Sequence, residues 1–119
     1  AVVDNSLLPI LPHILGCRAF VSHVPNFCPE HCWRVWDLME QRKYKEAQDA
    51  DDRLMVPYQE LVGQIQRQTA GEGIFVKAAM AAAGLPAGHS RLPSRDPVVT
   101  PAIREGFKRL LAENSQIDR

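Results

Sequence analysis

Gly16-Cys17-Arg18-Ala19-Phe20-Val21-Ser22-His23-Val24-Pro25-Asn26 is the stretch that decides the fold. A glycine ends an apolar run of helical spacing, a short apolar strand follows, and a polar cluster closes it. This is one α-to-β step of a repeating β/α fold. The strand is read over Ala19–Ser22. A lone strand with unpaired backbone groups on both sides cannot be buried. The expectation is therefore a partial sheet whose remaining strands lie elsewhere in a larger enzyme.

Upstream, Leu7, Leu8, Ile10, Leu11, Ile14 and Leu15 recur at helical spacing, with Asn5 or Ser6 as candidate caps. Pro9 falls near the first turn, and Pro12 is expected to distort the helix. Ala1-Val2-Val3 reads as the end of a preceding buried strand running into a turn. Downstream, Pro29 and Glu30 open a helix to about Arg42, with Val35, Trp36, Met39 and Cys32 on its apolar face. A long helix is expected from Lys43 toward Gln68, kinked at Pro57. Ile74–Ala83 is alanine-rich and reads as helix, ended by Gly84. The proline-rich segment Pro86–Val99 reads as extended, and Thr100-Pro101 caps a last helix bearing Ile103, Phe107, Leu110 and Leu111.

The chain has 119 residues, with fourteen basic and fourteen acidic side chains balancing to zero formal charge. No concentrated basic face argues for nucleic acid or an anionic membrane, and no apolar run is long enough to span a bilayer. The N-terminus lacks the features of a signal peptide, and the three cysteines read as reduced thiols of a cytoplasmic protein. Cys28, His31 and Cys32 with His23 invite a metal reading, but no second ligand pair follows at zinc spacing. Buried thiols at a helix start are preferred, with no metal.

Three separated elements resemble one family. Gly16–Ser22 followed by Asn26 and Pro29 is similar to its last barrel strand and exit loop. Lys45-Glu46-Ala47 with Leu54-Met55-Val56-Pro57 is similar to the helix pair that follows. Val76-Lys77-Ala78-Ala79, Gly84-Leu85 and Arg91-Leu92-Pro93 resemble its terminal signature. The family is that of dihydrodipicolinate synthase and N-acetylneuraminate lyase, and the chain resembles its C-terminal part. The resemblance implies an α/β fold: the C-terminal portion of a (β/α)8 TIM barrel over residues 1–42, then a C-terminal helical subdomain over 43–119, the segment itself being mostly α. It implies a class I, Schiff-base lyase acting on pyruvate or another 2-keto acid by aldol condensation, cleavage or dehydration. It further implies no cofactor, docking on the remainder of the barrel, and a homo-oligomer, dimer or tetramer.

The family's Schiff-base lysine lies on an earlier strand, so no catalytic residue is expected in these 119 residues. A lysine nucleophile must be desolvated. Of Lys43, Lys45, Lys77 and Lys108, Lys77 has the most apolar surroundings, yet Ala78–Ala83 continues it as a helix and places it in the tail. Active sites of such barrels form at the C-terminal ends of strands. Ser22, His23 and Asn26 are therefore candidates to line the substrate pocket. Asp4 and Asn5 have the same position after the preceding strand. Ser22 could meet the substrate carboxylate or chain, and His23 a hydroxyl or a proton. Alternatively, Asn26 braces the turn and His23 points away. Many family members carry Gly-Asp-Asp or Gly-Asp-Glu where this chain has Val3-Asp4-Asn5-Ser6. The other reading of the chain is a non-catalytic helical module docking through Trp33, Trp36 and Met39.

Overall fold

The computed structural model describes the backbone of residues 2–3 and all of residues 9–115. The chain is mostly helical. In order, it runs β1 (Val2–Val3), α1 (Ile10–Ile14), β2 (Ala19–Phe20), a 3-10 turn (Val24–Asn26), α2 (Pro29–Glu40), α3 (Tyr44–Gln66), α4 (Gly73–Ala82), a 3-10 turn (Asp96–Val98) and α5 (Pro101–Ser115). The two strands pair in parallel, Val2 opposite Ala19 and Val3 opposite Phe20. A parallel pair needs a crossover between its strands, and α1 lies in it.

Two elements are shorter than their apolar runs. Helix α1 starts at Ile10, with Pro9 at its N-cap. Pro12 thus falls in the first turn, where an N–H would lack an intrahelical partner anyway, so it fits instead of distorting the helix. Strand β2 stops at Phe20 instead of Ser22. The Ser22 hydroxyl accepts the Val24 N–H (3.1 Å), and this local bond starts the 3-10 turn in place of a ladder. Helix α3 continues through Pro57.

Contacts divide the chain into two units, residues 1–55 and 56–119. The boundary expected at 42/43 thus differs from the one observed, which lies within α3. The reason is local: Ala47 and Ala50 at the start of α3 pack with Ile10, Val35 and Met39, flanked by Phe20, Trp36, Leu38 and Tyr44. Small side chains on α3 let it lie close to α2 there.

In the second unit, Tyr58, Val62, Ile65, Ile74, Phe75, Ala79, Ile103, Phe107 and Leu110 are buried. The Tyr58 ring meets Phe75 (6.5 Å) and Phe107 (6.2 Å) edge to face. Thr100 caps α5, its hydroxyl accepting the Ile103 N–H at 3.3 Å. The irregular segment between α4 and α5 is tied down by side chains. Ser94 donates to the Ala70 carbonyl (2.8 Å), and the Asp96 carboxylate accepts the Ser90 N–H on both oxygens (3.0 and 3.2 Å).

Candidate functional site

The exit from β2 carries the residues expected to line a pocket. Ser22 is half-buried and forms part of the wall of a concavity of about 410 Å³, with Arg18, Phe20, Cys32, Trp33 and Trp36. Its hydroxyl is committed to the Val24 N–H and to the Cys32 thiol. His23 and Asn26 are not among the residues lining this concavity. The Asn26 side chain donates to the His23 carbonyl (2.9 Å), alongside its own N–H (3.1 Å), and so closes the turn. His23 is half-buried at the start of that turn. Asp4 and Asn5 lie outside the described residues.

Behind the concavity sits a pair that sequence spacing did not single out. His31 on α2 and Asp51 on α3 are buried, and Nε2 lies 3.2 Å from Oδ1. The other atom of each, His31 Nδ1 and Asp51 Oδ2, is buried without a hydrogen-bond partner. The signal was present: His31, Val35 and Met39 follow each other at intervals of four and share the buried face of α2. Nothing in that spacing names the partner twenty residues on.

The thiols are electrostatically quiet. Burial pushes the Cys28 thiol up. Burial first, then the neighbouring Cys28 and the Asp51 carboxylate, push Cys32 up to about 12, against the opposing Ser22 hydrogen bond. A thiolate is the nucleophilic form, so neither cysteine is an activated nucleophile near neutral pH. Among the described residues no group of three His, Cys, Asp or Glu side chains could hold a metal ion.

All four lysines lie on helices or in the short link before one. Lys43 and Lys108 are exposed, and Lys45 pairs with Asp49 one helical turn on. Lys77 lies on α4, half-buried, and donates to the His89 carbonyl (2.6 Å). An amine engaged by a carbonyl at a helix surface is not the desolvated amine of imine chemistry.

The face proposed for docking is divided. Trp33 is 68% exposed, Trp36 is half-buried, and Met39 is completely buried in the core, so Met39 cannot meet a partner. Among the described residues no helix is long and apolar enough to cross a membrane. The concavity at the β2 exit combines the Arg18 guanidinium with the aromatic walls of Phe20, Trp33 and Trp36.

No family model, curated protein or solved structure matches the chain.

Proposed function

We propose that this chain is the C-terminal part of a pyruvate-dependent Schiff-base lyase of the dihydrodipicolinate synthase family. It would supply the last β/α units of a (β/α)8 barrel and the helical subdomain after it. The observation that supports this reading most is the parallel pairing of Val2–Val3 with Ala19–Phe20 across a helical crossover, followed through a 3-10 turn by α2. Two successive β/α steps are the repeat from which such barrels are built. Ser22 then stands at the C-terminal end of a barrel strand, the end where substrates bind.

In this reading the reacting lysine lies outside these residues. Its imine with the keto acid acts as the electron sink for making or breaking the bond beyond the carbonyl, so no cofactor is required. Ser22 would line the wall against which the substrate's polar end is held, and Asn26 would fix the loop that carries it. The complete enzyme would be cytoplasmic and a homo-oligomer. The alternative, a helical docking module, retains Trp33 as its one well-exposed aromatic anchor.

Borohydride reduction in the presence of pyruvate tests the proposal on the complete polypeptide that carries this sequence. A reduced pyruvyl adduct should form on a lysine outside these residues. An adduct on Lys43, Lys45, Lys77 or Lys108, or no adduct anywhere, overturns the reading.

A further inference from the structure

Three helices of this chain end in the same hydrogen-bond pattern. After α1, the Gly16 N–H donates to the His13 carbonyl (3.0 Å) and the Cys17 N–H to the Pro12 carbonyl (2.9 Å). After α4, Gly84 donates to Ala81 (3.0 Å) and Leu85 to Met80 (2.9 Å). After α2, Arg42 donates to Met39 (2.9 Å) and Lys43 to Leu38 (2.9 Å). The pattern needs a residue of positive φ just past the helix. Gly16 and Gly84 provide it at 94° and 78°, and Arg42 at 58°. Glycine takes that conformation freely, whereas a residue with a Cβ is strained in it. Arg42 is the one non-glycine with positive φ among the described residues.

The strained arginine borders a concavity of about 390 Å³ at the ends of α1 and α2 and the start of α3. His13, Arg18, Glu40 and Tyr44 also line it. The His13 side chain is 7% exposed and engaged on both nitrogens. Its Nε2 lies 2.7 Å from Glu40 Oε1, and its Nδ1 lies 3.3 Å from the Tyr44 hydroxyl. The Trp36 ring packs edge-on against it at 5.4 Å. Arg18 touches Glu40 at 3.5 Å but is 74% exposed, and ion pairs of that kind are weak. No described residue pairs with the Arg42 guanidinium.

We propose that this concavity binds a small phosphate-type oxyanion through the Arg18 and Arg42 guanidinium groups and the Tyr44 hydroxyl, with His13 setting the hydroxyl's donor state. Two guanidinium groups against one carboxylate leave a positive surplus, and the guanidinium fork matches phosphate oxygens. The donor logic follows from the imidazole. When neutral, His13 donates from Nε2 to Glu40, so its Nδ1 accepts the Tyr44 proton and the hydroxyl has none left to give. As imidazolium it donates from both nitrogens, and the Tyr44 O–H is free to point into the concavity. An oxyanion that takes that hydrogen selects the imidazolium, so binding takes up a proton. The groups facing His13 are Glu40 and the neutral Trp36 ring from α2 and Tyr44 from α3, with Arg18 reaching Glu40 from the loop before β2.

The experiment is calorimetric titration of the polypeptide with inorganic sulfate, whose charge is constant across the range, and with inorganic phosphate. Buffers of different ionisation enthalpy report the proton uptake. Sulfate should saturate, and binding should take up a proton. Arg42→Gly should bind sulfate at least about tenfold more weakly, yet unfold at a temperature no lower than the parent, because the strain is gone. Tyr44→Phe should retain weakened binding. Absence of saturation, or parental affinity in Arg42→Gly or in Tyr44→Phe, overturns the proposal.

Discussion

In residues 1–55 the buried side chains include an imidazole, a carboxylate and a thiol, while Leu11, Ile14, Leu15, Val21 and Trp33 are 50–76% exposed. In residues 56–119 the buried set is aliphatic and aromatic apart from Asn114, centred on Tyr58, Phe75 and Phe107, and the large apolar side chains left out among the described residues are Val56, Leu85 and Leu92. The second unit leaves fewer large apolar side chains exposed than the first. The first also holds a sheet of two strands of two residues each. A two-stranded sheet is marginal alone, and exposed apolar clusters mark places where more protein belongs. This difference supports the proposal that further strands cover the first unit.

The contrast makes graded predictions. Phe107→Ala should have the largest effect, about 3–5 kcal/mol of stability, because the ring is fully buried. Urea unfolding followed by circular dichroism reads it. A loss below about 1 kcal/mol would mean that the second unit is not self-sufficient.

Asp51→Ala should follow, at about 2–3 kcal/mol, because it strips the one hydrogen bond from a buried imidazole whose other nitrogen already lacks a partner. Replacing both members, His31→Leu with Asp51→Leu, should restore most of that loss. Trp33 and Trp36 both lie in the first unit, so tryptophan fluorescence reports its unfolding. If the double variant is no more stable than Asp51→Ala alone, the pair does more than fill space.

The smallest effect concerns acid. The Ser90 N–H first and the Ser90 hydroxyl second, with His89 behind them, hold the Asp96 carboxyl below the usual carboxylate range. A lowered folded value means that this contribution is present above the unfolded value near pH 4 and is lost as pH falls through the folded one. Asp96→Asn should lower stability slightly at neutral pH and match the parent in acid below the folded value, so that the acid limb of the stability profile is flatter. An unaltered acid limb would show that the exposed segment between α4 and α5 contributes nothing to the second unit's stability.

Much of the fold was readable along the chain. Apolar residues at intervals of three and four marked α2, α3 and α5, alanine content marked α4, and Pro29, Pro101 and Thr100 marked where helices begin. The end of β2 was not readable, because Ser22 chose a backbone partner two residues ahead over a neighbouring strand. Ser22, read from its place at the end of a strand, lines a concavity. Asn26 took the turn-bracing role that its residue type equally allowed.

Local chemistry is settled within a few residues. The helical period, the capping hydroxyl of Thr100 and the glycine past α1 each act on neighbours in the chain, so the order of residues determines them. His31 with Asp51, twenty residues apart, and His13 with Glu40 and Tyr44, twenty-seven and thirty-one apart, are another matter. A helical period says which face a side chain is on. Only the packing of α1, α2 and the start of α3 decides which turn of one helix meets which turn of the next, and therefore which charges lose their water together.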